Sequence, residues 1–192
     1  MKKGVFMFYA LINEYDEGSL WSIIKFSPER NVYLIFDSGR YGMGYKKILK
    51  TLEECNSCSL FLNTYEDEYK RLRPVLFQIK TYGQWRKVKK LAINLYKENL
   101  LDTFMLLESD LNDVNELQEN LKPLLSATLK NGKSVFVRFY DPLVLLKLLY
   151  IWTQESQKRI WNHIVKWYVF DDNRRIAVKL ERKDENCGNG IE

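Results

Sequence analysis

Ser134-Val135-Phe136-Val137-Arg138-Phe139-Tyr140-Asp141-Pro142 runs directly into Leu143-Val144-Leu145-Leu146-Lys147-Leu148-Leu149-Tyr150-Ile151-Trp152. In the first part Val135, Val137 and Phe139 alternate with Phe136, Arg138 and Tyr140, the period of two that sends side chains to opposite faces of a strand. Asp141 suits a helix N-cap, because its carboxylate can accept from the unpaired amides of a first turn. Pro142 suits the position after it, where a missing N–H costs nothing. The stretch therefore predicts a strand over 134–140 that turns at once into an almost wholly apolar helix over 143–152. Arg138, set between aromatics on the strand, calls for an acid, and Asp37, Asp110 and Asp141 are the candidates. In the helix Lys147 is the one charged side chain. Such a helix is either buried on all sides or presents one face to another protein, with Leu143, Leu146, Leu149, Tyr150 and Trp152 as the candidate contacts.

Outward from this junction, strands and helices alternate. Apolar runs predict strands at 5–12, 32–36, 75–79 and 102–107. Helical patterns occupy 18–26, 40–54 and 84–98, the last carrying Trp85, Val88, Leu91, Ala92 and Leu95 at helical spacing with lysines opposite. Ser109 or Asp110 is expected to cap a helix bearing Val114, Leu117, Leu121 and Leu124, with Pro123 ending or kinking it. Asn131-Gly132 reads as a turn, Thr153 as the start of a helix reaching 164, and 166–180 as a closing hairpin. This order predicts an α/β fold with a mixed, mostly parallel sheet flanked by helices and a C-terminal β-hairpin. With no linker and no repeat, residues 1–182 are expected to form a single domain, followed by a polar, flexible tail at 183–192.

The composition bounds the function classes. In 192 residues, 46% hydrophobic and 29% charged side chains describe an ordinary globular protein and exclude wholesale disorder. The 14% aromatic content is high and points to a large core or interface. A net charge of +5 is a modest excess, locally concentrated in Arg86, Lys87, Lys89 and Lys90. Three cysteines suit a reducing compartment. No apolar run reaches the ~18–20 residues a membrane helix needs. Asn13-Glu14-Tyr15-Asp16-Glu17 stands where a signal peptide would have its cleavage site, so a cytoplasmic protein without membrane insertion is expected.

Catalytic chemistry is sparse. His163 is the single histidine and lies among Trp161, Ile164 and Trp167, a setting for packing or capping. Cys55 and Cys58 form a lone CxxC that only His163 and Cys187 could complete to four zinc ligands, so free thiols in a loop are expected. Gly39-Arg40-Tyr41-Gly42-Met43-Gly44 has neither dinucleotide-fingerprint nor P-loop spacing. No catalytic residue, metal site or cofactor is assigned.

The same residues resemble a known family. The segment 135–149, with Arg138, Phe139, Tyr140, Asp141 and Pro142 at its centre, is similar to the FRFYDPRVL hallmark of DUF4123 proteins. Tyr9-Ala10-Leu11-Ile12, Leu34-Ile35-Phe36-Asp37 and Leu107-Glu108-Ser109-Asp110-Leu111 resemble further blocks in the family's order, as does the stretch from Trp152-Thr153-Gln154-Glu155 to Trp167. Leu143 stands where the family usually has a basic residue, and 55–73 is a charged and polar insert. The resemblance implies a non-enzymatic, cytoplasmic effector adaptor and chaperone of bacterial type VI secretion. Its partners would be a cognate toxin effector and the VgrG spike protein. On that view the hallmark is mainly structural and the helix after it helps bind. Two other readings compete: a nucleic-acid-binding module using the basic helix 84–98, and a small-molecule enzyme built on the glycine turn around Gly42.

Overall fold

A computed structural model of the chain describes residues 8–23, 30–41, 45–64 and 73–183. Strand β1 (Phe8–Glu14) is followed by the short helix α1 (Leu20–Ile23) and by β2 (Asn31–Phe36). Helices α2 (Ser38–Tyr41) and α3 (Tyr45–Thr51) lead to β3 (Asn56–Ser59) and β4 (Val75–Ile79). Helix α4 (Tyr82–Lys97) then precedes β5 (Phe104–Ser109), and α5 (Val114–Leu121) precedes the strands β6 (Ser126–Thr128) and β7 (Ser134–Phe136). Helices α6 (Pro142–Ile151) and α7 (Gln154–Trp161) are followed by β8 (Ile164–Asp171) and β9 (Ile176–Arg182).

Seven strands form one sheet in the order β1-β9-β8-β5-β2-β4-β3, and every neighbouring pair in it is antiparallel. The mostly parallel sheet expected from the sequence is thus corrected. The difference has two physical reasons. Helix α4 does join two strands that run the same way, β4 and β5, but β2 lies between them and pairs with both. The near-continuous burial of β2, β4 and β5 normally marks parallel strands. Here it arises because helices cover both faces of an antiparallel sheet.

Alternation places the two cores. Tyr33, Ile35, Met105, Leu107, Trp167 and Val169 point to one face, where α5, α6 and α7 pack. Val32, Leu34, Phe36, Phe104, Leu106 and Phe170 point to the other, covered by Ile48 of α3, by Leu52 just after it and by the apolar stripe of α4. Helix α4 is started by a reciprocal cap: Thr81 Oγ1 accepts from Gln84 N at 3.1 Å, and Gln84 Oε1 accepts from Thr81 N at 3.1 Å.

Several local expectations hold and several shift. Thr153 caps α7, accepting from Ser156 N at 3.2 Å, and Gly132 turns the β6–β7 hairpin at φ 79°. Helix α5 is capped by Asp113, neither by Ser109 nor by Asp110; Ser109 instead donates its hydroxyl to His163 O at 2.7 Å. The stretch expected as a sheet strand over 134–140 pairs only as far as Phe136, and with β6 in a separate two-stranded sheet. The polar segment 55–73 holds an edge strand, β3. Residues 5–7 of the expected first strand, Gly42 to Gly44 of the glycine turn, Cys187 and 184–192 of the expected tail lie outside the described residues.

Candidate functional site

The site begins where β7 ends. After Phe136 the chain leaves its hairpin, and Val137 N donates to Leu125 O at 2.8 Å. A turn follows in which Asp141 N donates to Arg138 O at 2.9 Å, so consecutive aromatics, Phe139 and Tyr140, are both buried. Phe139 is fully buried and meets Trp167 edge-on at 6.0 Å between ring centroids. Tyr140 packs on Phe61, and burial, with the negative charge of Asp37, pushes its phenol up to about 12.

Arg138 lies over the Tyr140 ring at 5.7 Å and donates from Nη2 to Asp37 Oδ2 at 3.1 Å. Of the three acids the sequence offered, this is the partner; Asp110 pairs with Arg182 at 2.8 Å, and Asp141 caps. The Asp37 side chain is only 3% exposed and that of Arg138 46%. Asp37 sits just past the end of β2, so the pair ties the hallmark segment to the centre of the sheet. Burial pushes the Asp37 carboxyl up, and the Arg138 guanidinium opposes that shift.

Two further carboxylates stand at this end of the sheet. Asp102 pairs with Arg40 at 2.6 Å, and burial pushes its carboxyl up against that cation. Asp172 accepts from Tyr15 Oη at 2.8 Å and from the Leu101 amide, with Arg175 at 3.6 Å. Each acid is matched to an arginine. The row fixes how loops and α6 meet the sheet, and it leaves none of these three carboxylates free of a cation.

Asp141 Oδ1 accepts from Leu143 N at 3.0 Å and Pro142 opens α6, as the sequence implied. The helix is neither buried all round nor bare. Leu145, Leu148 and Leu149 enter the core, while Leu143 is 44% and Tyr150 82% exposed. Between α6 and the strands β1 and β9 runs an apolar groove of about 560 Å³. Leu143, Leu146, Leu149 and Tyr150 form its helical wall, and Ala10, Ile12, Ile176 and Val178 belong to its strand wall. Trp152 is not there. It is half-buried and lines a second concavity of about 450 Å³, toward Leu129 and Arg159. The strand wall escaped sequence reasoning, although the alternation of Phe8, Ala10 and Ile12 could have pointed to it.

The other sequence candidates are also placed. On α4, Lys87 pairs with Glu54 at 2.6 Å and Lys97 with Glu17 at 3.1 Å. Cys58 lies on β3, where its thiol contacts Val114 O at 3.6 Å and burial pushes it up to about 12; Cys55 precedes the strand and is also pushed up by burial. The expected loop thiols are therefore one strand residue and one turn residue, and both are free cysteines. His163 lies between α7 and β8, its Nε2 2.9 Å from Asn162 Nδ2. Among the described residues no cluster of three or more His, Cys, Asp or Glu could hold a metal ion, and no helix is long and apolar enough to cross a membrane.

No curated protein and no solved structure matches the chain. The sequence profile of the DUF4123 family, a domain of unknown function, matches residues 32–159, which run from β2 through the hallmark junction and α6 into α7. The match spans 128 of 192 residues, and the chain belongs to the DUF4123 family.

Proposed function

We propose that this chain is a non-enzymatic, cytoplasmic adaptor and chaperone of a bacterial type VI secretion system. It binds a cognate toxin effector, keeps it competent and helps load it onto the VgrG spike protein. The observation that carries the reading is the helix launched by the family hallmark, which holds an open apolar groove where a buried helix would close it. Apolar area left in water at a groove is the signature of a surface that meets another protein. The resemblance of residues 135–149 to the hallmark of effector adaptors supports the same reading.

The test is purification of the tagged chain from its native cell at moderate and at high salt. A toxin and a VgrG protein should come down with it at both. Their absence at both salts would overturn the reading. The rival nucleic-acid module requires binding that falls steeply with salt. Its basic helix offers less free charge than the sequence suggested, since Glu54 and Glu17 neutralise Lys87 and Lys97.

A further inference from the structure

The two edges of the main sheet are finished differently. At one edge β3 is four residues long, polar, and lies against α5 through the Cys58 contact to Val114 O. At the other edge β1 is seven residues long and pairs only with β9 among the described residues. Its residues from Ala10 to Glu14 are all exposed, Ile12 at 65%. It carries no lysine, no proline and no bulge, and its one charge, Glu14, stands at its end.

The hydrogen-bonding groups of β1 that no described strand takes up follow from its register. Tyr15 N donates to Arg175 O at 3.0 Å, and the register runs unbroken from Glu14 opposite Ile176 to Phe8 opposite Arg182. In an antiparallel ladder, residues alternate in sending their N–H and C=O to the neighbouring strand. Tyr15, Asn13 and Leu11 therefore face β9, and Glu14, Ile12 and Ala10 send theirs to the open edge. Ala10 and Ile12 also put their side chains on the groove, so backbone donors and apolar wall belong to the same residues.

Among the described residues that line the groove, Arg174 is held by Asp171, a buried carboxylate, at 3.7 Å. Lys147 pairs with no acid among the described residues. Edge pairing with a second copy would bring two Lys147 side chains to the same sheet face. An occupant with acidic residues is complementary.

We propose that the open edge of β1 takes up an extended segment of a protein partner as an eighth strand, one that alternates apolar residues into the groove and carries acidic residues toward Lys147. This is the strand-addition mode, in which the backbone supplies affinity and alternate pockets supply selectivity. It rests on the adaptor reading in taking the partner to be a protein.

The test uses the full chain and a synthetic peptide that alternates valine with threonine and ends in glutamates, compared with two variants. One variant is N-methylated on every second amide, and the other has lysines in place of the glutamates. The parent peptide should bind and protect the Ala10, Ile12 and Glu14 amides from hydrogen exchange. N-methylation should weaken binding about tenfold or more, the loss of two or three backbone hydrogen bonds. The lysine peptide should bind more weakly at low salt. Ile12→Pro, which removes an outward N–H and spares the ladder to β9, should lower peptide affinity about tenfold at unchanged Tm. No binding by the parent peptide, indifference to N-methylation, or amides already protected in the free chain would overturn strand addition. Equal binding of the lysine peptide would overturn the acidic partner. Because the peptide experiment needs no toxin, its failure alongside a co-purified toxin breaks only this inference. Peptide binding with no toxin or VgrG recovered breaks only the adaptor reading.

Discussion

Residues 137–142 and the outward face of α6 adjoin in sequence, and they differ in what water can reach. At the junction Phe139 is sealed against Trp167, Arg138 answers a buried Asp37, and Asp141 satisfies the helix start. On the helix that follows, Leu143 and Tyr150 stand in solvent above a groove that their own helix helps to form. The difference separates two jobs that the sequence presents as one motif. Residues of the first region hold the layer of α5, α6 and α7 on the sheet. Residues of the second contribute little to holding anything, and under the proposed adaptor role their apolar character serves a binding partner.

Mutations can break this comparison. The largest effect is expected from Phe139→Ala, which empties a fully buried aromatic site and should cost about 3–5 kcal/mol in chemical denaturation. A loss near that of a surface residue would mean the junction does not anchor the fold.

Arg138→Ala should cost about 2 kcal/mol, less than the ~3–5 kcal/mol of a fully buried pair, because half of the guanidinium is in water. Its pH dependence has a definite sign. The Asp37 carboxyl is already raised by burial, so its contribution is present at low pH and lost as pH rises through its folded value. Without the opposing guanidinium the rise is larger. The deficit of Arg138→Ala against the parent should therefore be greatest at neutral pH and shrink on acidification through the carboxylate range. Adding Asp37→Asn should recover part of it at neutral pH. A deficit independent of pH would show that Arg138 acts through packing alone.

Asp141→Ala removes the acceptor of Leu143 N and should cost about 1 kcal/mol, read as a lowered Tm. The smallest stability effect belongs to Tyr150→Ser, within about 0.5 kcal/mol. That variant should nevertheless weaken capture of the co-purifying partner about tenfold, since exposed aromatics beside a groove carry binding energy out of proportion to their number. Stability loss without binding loss would erase the distinction between the two regions.

Much of this was legible because it is local. The cap at Asp141, the proline at Pro142, the turn at Gly132 and the buried stripe of α4 each follow from a few neighbouring residues. What the sequence withheld depends on distant segments. Strand direction is hidden when β4 and β5 run alike but accept β2 between them. The strands β3 and β6 have no sequence signal, because Asn56-Ser57-Cys58-Ser59 and Ser126-Ala127-Thr128 carry no apolar alternation. Asp37 was one of three acids with equal claim on Arg138 until the fold brought it there. The groove was half legible: its helical wall is an oily run, while its strand wall is supplied by β1 and β9, far away in sequence.

The bond between Arg138 and Asp37 spans 101 positions of the chain. Closing so long a loop costs entropy that a single, half-solvated contact cannot offset, so nearer contacts must first bring the two ends together. The pair is then expected to form late in folding, after the transition state. Arg138→Ala should accelerate unfolding in stopped-flow experiments and leave the refolding rate nearly unchanged. The family hallmark would thus act as a latch on lifetime, setting how long the assembled protein persists and having little bearing on how quickly it forms.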